Sequence, residues 1–110
     1  MARLTPPFSR LSRLSSRRQG YLMKQGKLSS RWKPFYFRLD NGYLACYEKK
    51  SLVGTSPSKG MQLTATSTAS YATLKNCLCV RTGDVAWFLM AKSPESLYEW
   101  LTAVNAEIHA

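Results

Sequence analysis

The stretch "RWKPFYFRL", residues 31 to 39, decides the fold. It opens with Arg31 and Lys33 on either side of Trp32 and then runs into Phe35, Tyr36, Phe37 and Leu39, side chains that suit a pleated, half-buried strand. Strand residues two apart share a face, so Lys33, Phe35, Phe37 and Leu39 point one way and Trp32, Pro34, Tyr36 and Arg38 the other. One face therefore starts on a cation and becomes apolar within two steps. "DNG" follows at 40 to 42, a strong tight-turn signal, and then "YLACYEK" at 43 to 49. With "GYLMK" at 20 to 24, separated from the central stretch by "QGKLSS", these segments form a three-stranded meander.

The same texture continues downstream. After the longer loop "KSLVGTSPSK" (50 to 59) come "GMQLTA" (60 to 65), "TASYAT" (68 to 73), "CLCVRT" (77 to 82) and "AWFLMA" (86 to 91), the last two joined by a tight turn at "GDV". The chain then turns helical. Ser93 suits an N-cap, Pro94 the first helical position and Glu95 the positive end of the helix dipole. Leu97, Trp100, Leu101, Val104 and Ile108 fall at spacings of three and four, one apolar stripe to be buried. Seven strands followed by one helix exclude a βαβ layout. The economical architecture is mainly β: a pair of antiparallel sheets, or a strongly bent barrel, with the helix plugging one open end and Trp100 entering the core.

At 110 residues the chain is one domain's worth, long enough for a core without metal or disulfide support. A hydrophobic fraction of 45% argues against a disordered chain, and no apolar run approaches the roughly 20 residues that cross a bilayer. The net charge of +10 is concentrated: residues 1 to 39 hold ten Lys or Arg and no acid, whereas residues 40 to 110 hold six of each sign. Such a block attracts an anionic surface, whether phospholipid, nucleic acid or an acidic protein face. Cys46, Cys77 and Cys79 form no CxxC pair, and His109 is the lone histidine, so neither a metal nor a cofactor is expected and the cysteines read as small wall residues of a reduced, intracellular protein.

Residues 1 to 19 differ from the rest, with five arginines, four serines and adjacent prolines; they read as a basic, disordered tail preceding a domain at 20 to 110. Phe8, Leu11 and Leu14 recur every three residues with Arg10, Arg13 and Arg17 between them, the pattern of a short amphipathic helix for an anionic membrane. The same acid-free, Arg- and Ser-rich composition also fits a mitochondrial presequence.

From residue 20 to 108 the chain resembles a pleckstrin homology domain. "GYLMK" is similar to the family's first strand, "RWKPFYFRLDNGYLACYEK" to its second and third, and "SPESLYEWL" to its closing helix, with the family's tryptophan at Trp100. The resemblance implies a seven-stranded bent antiparallel barrel, two near-orthogonal sheets capped by a C-terminal helix, with no catalytic site. It also implies that the face holding Lys33, Phe35, Phe37 and Leu39 is the inner one, with Leu22 inside and Lys24 at the rim of the first strand. Two cations then meet at one open mouth. The resemblance makes Lys24, Lys33 and Lys59 ligands of a phosphoinositide headgroup, Lys27 and Arg31 loop cations and Leu28 an apolar membrane wedge. The sequence departs from the pattern of strong binders at Phe35, where they carry Arg, and at Leu44, Ala45 and Cys46, where a tyrosine is often supplied; a phenyl ring offers phosphate no hydrogen bond.

The expected function is therefore peripheral attachment to phosphoinositides or other anionic phospholipid headgroups with low to moderate affinity, in a cytoplasmic protein at the membrane surface. The alternative is a protein-protein interaction module of the same fold, with Tyr36 and Trp32 exposed on the outer face of the second strand as anchors. Nucleic acid is not an expected partner, since charge alone supports it. Nor is an enzyme expected: no nucleophile has a His and an acid to activate it, and Asp40 and Asp84 read as turn residues.

Overall fold

A computed structural model describes residues 17–26 and 30–110. Its elements are β1 (Arg18–Gln25), β2 (Trp32–Asp40), β3 (Tyr43–Tyr47), one turn of 3₁₀ helix (Lys50–Leu52), β4 (Lys59–Gln62), β5 (Thr68–Tyr71), β6 (Cys77–Thr82), β7 (Val85–Met90) and α1 (Pro94–Ile108). The strands make one antiparallel sheet in the order β4-β3-β2-β1-β7-β6-β5. Met61 of β4 and Leu78 and Val80 of β6, near opposite ends of that order, bury themselves in one cluster with Leu22, Phe37, Leu44 and Leu89. The sheet must therefore curl round a shared interior. It is a bent barrel, continuous through β1 and β7 rather than split into two separate sheets, and no ladder joins β4 to β5.

Turn chemistry fixes the register. Asn41 (φ 52) and Gly42 (φ 75) supply the two positive φ values that a two-residue hairpin needs between the paired Asp40 and Tyr43. Gly83 (φ 59) does the same at the first position of the β6–β7 turn, between Thr82 and Val85.

The strand limits differ from the sequence reading for local reasons. β1 begins at Arg18, two residues before Gly20, because Arg18 and Gln19 pair with Leu39 and Arg38. Arg18 also bonds Glu99 of α1 at 2.6 Å and lies over the Trp100 ring at 5.4 Å. β4 stops at Gln62: Leu63 N still donates to the Gly42 carbonyl, but Thr64 N then donates to Ser67 Oγ at 2.8 Å and closes a hydroxyl-linked turn. The expected tail helix at Phe8, Leu11 and Leu14 lies outside the described residues.

Tyr36 is not an exposed anchor. It is only 7% accessible, packed with Ala45, Tyr47 and Val53 and edge-on to Tyr21 at 5.0 Å. The cause is the β3–β4 connection, which folds back over the outer face so that Lys50 N donates to Tyr21 Oη at 3.1 Å. Trp32, the other expected anchor, is half-buried.

The closing helix follows its sequence signals. Ser96 N donates to the Ser93 side chain at 3.1 Å, Pro94 opens the first turn, and Leu97, Trp100, Ala103, Val104 and Ile108 are buried where α1 packs on β5 and β6. Trp100→Ala should cost about 3–5 kcal/mol in urea unfolding, as expected for a large aromatic removed from a packed core. Tyr98→Ala on the exposed side of the same helix should stay within about 0.5 kcal/mol.

Candidate functional site

Period-two alternation carries β1 from Leu22, buried, to Lys24, the last inward residue before the β1–β2 loop. Lys24 is 8% accessible, and its Nζ stands 5.4 Å from the centroid of the Trp87 ring on β7. Its Cα partner on β2 is Lys33, which is exposed. Lys59 opens β4 as the Cα partner of Cys46. A pocket of about 370 Å³ lies at this end of the sheet, lined by Lys24, Gln25 and Gly26 from β1, Lys59 from β4, and residues 84 to 88 of the β6–β7 hairpin.

The structure thus brings Lys24 and Lys59 together from strands far apart in the chain. Lys33 flanks them from β2 without lining the pocket, its Nζ 5.9 Å above the Phe35 ring. Arg31 is exposed at the entry to β2, and its carbonyl accepts from Gly26 N at 3.2 Å, closing the base of the β1–β2 loop. Lys27 and Leu28 lie outside the described residues. Phe35 faces inward opposite Leu22 and packs, half-buried, against the core. On β3 the inward positions are Leu44 and Cys46, both fully buried, while Tyr43 and Tyr47 alternate with them on the outer side.

The pocket can hold an anion by charge and by its shape, but it does not arrange a nucleophile with a base. Among the described residues no group of three His, Cys, Asp or Glu is placed to hold a metal. Burial pushes the Cys46 thiol up to about 11, against the opposing fields of Lys24 and Lys59 and a hydrogen bond from Ser58. It remains a neutral wall residue at physiological pH. Burial likewise raises the Cys77 thiol, and the neighbouring Cys79 adds to the effect.

A model of the PH domain family matches residues 16–109. The chain belongs to the PH domain family. Among solved structures, the C-terminal PH domain of pleckstrin is 28% identical with a TM-score of 0.74, over 83% of this chain and 95% of that one. The same domain in complex with D-myo-Ins(1,2,3,5,6)P5 is 27% identical with a TM-score of 0.72, over 83% and 93%. The mouse pleckstrin homology domain-containing family A member 2 is 26% identical over 99 residues, which are 84% of this chain and 23% of that protein. The match thus spans under a quarter of that relative's length.

Within this PH domain the pocket residues that sequence reasoning missed are Gln25 and Gly26 beside Lys24 and, above all, those of the β6–β7 hairpin. Asp84 reads as a turn residue, yet it lines the pocket beside the lysines; Val85, Trp87 and Phe88 complete that wall. The alternation of "VAWFLM" held the signal for Trp87 facing inward, but nothing in the sequence shows that β7 meets β4 across the mouth.

The buried thiol makes a pH prediction. In the unfolded chain Cys46 loses its proton near 9.0, whereas in the fold it holds the proton to about 11, so the folded state binds more protons between those values. Stability should therefore fall as pH rises from about 9 to 11, by on the order of 2–3 kcal/mol from this group. Urea midpoints across that range should show a shallower decline in Cys46→Ala than in the parent.

Proposed function

We propose that this PH domain is a peripheral membrane-recognition module that takes phosphoinositide or other anionic lipid headgroups at its open end, with low to moderate affinity, and so localises the protein that carries it. The observation that carries the reading is the placement of Lys24 and Lys59 in one pocket, with Lys33 and Arg31 at its border. The inositol pentakisphosphate complex of the similar pleckstrin domain supports it. Charge polarity supports it too. At the opposite pole Glu99 pairs with Arg18, Asp40 lies 3.0 Å from Arg17 and 3.5 Å from Arg38, and Glu107 sits beside the β2–β3 turn. Such a domain turns its cationic end towards an anionic surface.

The modest affinity follows from two residues. Phe35 occupies, as part of the core, the place where the family's strong binders carry Arg, and Asp84 puts a carboxylate into the pocket itself. These two features also give the protein-interaction reading its support, and sedimentation with anionic liposomes at low salt separates the two: absence of any binding would favour a protein partner. Among the described residues no helix is long and apolar enough to cross a membrane, so attachment of this domain would be peripheral.

Charge-assisted bonds contribute roughly 1.5–3 kcal/mol each, so Lys24→Ala combined with Lys59→Ala should weaken phosphoinositide liposome binding about a hundredfold or more. Lys75→Ala with Lys92→Ala, the same change in charge at exposed positions outside the pocket, should have a far smaller effect. Equal losses in the two pairs would reduce the reading to bulk electrostatics. Asp84→Asn should act in the opposite sense and raise affinity for soluble inositol phosphates, most for those with more phosphates, as read by calorimetric titration.

A further inference from the structure

The outer face of the central strands bears an apolar surface that headgroup binding does not use. Alternation sends Met23, Pro34, Met90, Trp32 and Phe88 outward, opposite to Leu22, Phe35 and Leu89. The register sets Pro34, Met23 and Met90 side by side across β2, β1 and β7, and pairs Trp32 with Gln25 one step nearer the mouth. Phe88 is 43% accessible and Val85 beside the turn 52%; Pro34 is exposed, and Trp32, Met23 and Met90 are half-buried. A sheet face turned to water is ordinarily polar. The described elements that cover apolar surface lie elsewhere: α1 on β5 and β6, and the β3–β4 connection on the part of this face farther from the mouth, at Tyr21 and Tyr36.

Charge selects the occupant. Val85 and Phe88 line the pocket that holds Lys24 and Lys59, and Trp32 stands between exposed Arg31 and Lys33, so the apolar face runs directly into the cationic end of the molecule. Asp84 is the one acid among the pocket-lining residues. Apolar and indole side chains bordered by Lys and Arg match the boundary between acyl chains and anionic headgroups, where tryptophan partitions and cations meet phosphate. We propose that this face is a second membrane-contact surface, on which the domain docks tilted, with Trp32 and Phe88 in the interfacial layer of an anionic bilayer while the pocket lysines engage phosphate. The inference rests on the membrane reading of the mouth and adds to it an orientation and an apolar contact.

Tryptophan emission tests it on the intact chain. Trp100 is buried in the core at 2% accessibility and Trp87, at 7%, lines the pocket, so the signal of the apolar face is the part of the response that depends on Trp32. With phosphatidylcholine vesicles containing phosphatidylserine and phosphatidylinositol bisphosphate, the emission should shift to the blue and be quenched when the acyl chains are brominated. Trp32→Ala, checked for folding by circular dichroism, should lose that part of the response and bind those vesicles about tenfold less tightly, with its affinity for a soluble inositol pentakisphosphate unchanged. Vesicle binding by the parent chain without Trp32-dependent shift or quenching would overturn the inference and leave the headgroup reading standing. Trp32-dependent quenching without any binding of the soluble inositol phosphate would uphold the apolar contact and remove the headgroup reading. Failure to bind the vesicles at all would overturn both.

Discussion

The end of the molecule that matters is organised by one buried cation. Lys24 occupies an inward position on β1 that any apolar residue would fill more cheaply, since an ammonium withdrawn from water costs several kcal/mol unless its surroundings return that energy. The Trp87 ring 5.4 Å away returns part of it through its negative face. That requirement couples β1 to β7 at the point where the two meanders join, because Lys24 and Leu89 are Cα partners and Trp87 lies two residues from Leu89. Closing the hydrophobic interior and opening a cationic mouth are thus two results of the same strand, read one step apart.

The opposite pole is built on inverse logic. There the cations are matched: Arg18 bonds Glu99 and covers Trp100, while Asp40 lies between Arg17 and Arg38. These pairs tie the start of β1 and the end of β2 to each other and to α1, and Trp100 packs beneath them. The arginines at this end therefore read as structural, although in the sequence they belong to the same acid-free block as the lysines of the mouth. What separates the two groups is their surroundings: the arginines pair with Asp40 and Glu99, while Lys24 and Lys59 line a pocket with Asp84, and the fold alone decides that division.

This difference marks how much was legible beforehand. The strand pattern, the DNG turn, the Ser93 cap and the burial of Trp100 depend on neighbours within a few residues, and the sequence carries them openly. Alternation likewise placed Lys24 and Lys33 at one end of a hairpin, as their pairing bears out. Tyr36 could not be placed from alternation: its outward direction was right, but its cover comes from its ladder partner Tyr47 and from Val53, the latter brought over it by a connection whose path no local signal specifies. Asp84 failed for the same reason, since a turn residue becomes a pocket residue only once β4 and β7 meet across the mouth.

Phe35 shows why core and site cannot be varied independently here. An arginine at that place would direct a guanidinium towards phosphate, but the position lies opposite Leu22 and against the core, so the phenyl ring serves stability where a stronger binder would spend the same position on affinity. Lys33 then rests above that ring at 5.9 Å, held near the mouth by an aromatic face rather than by a carboxylate. A lysine paired with an acid would be neutralised before any ligand arrived; one held over an aromatic ring keeps its charge available. On the reading proposed above, a weak grip at the pocket would thus be joined by contacts beside it on the same rigid sheet, and contacts linked in this way reinforce one another through effective concentration without any single one being strong.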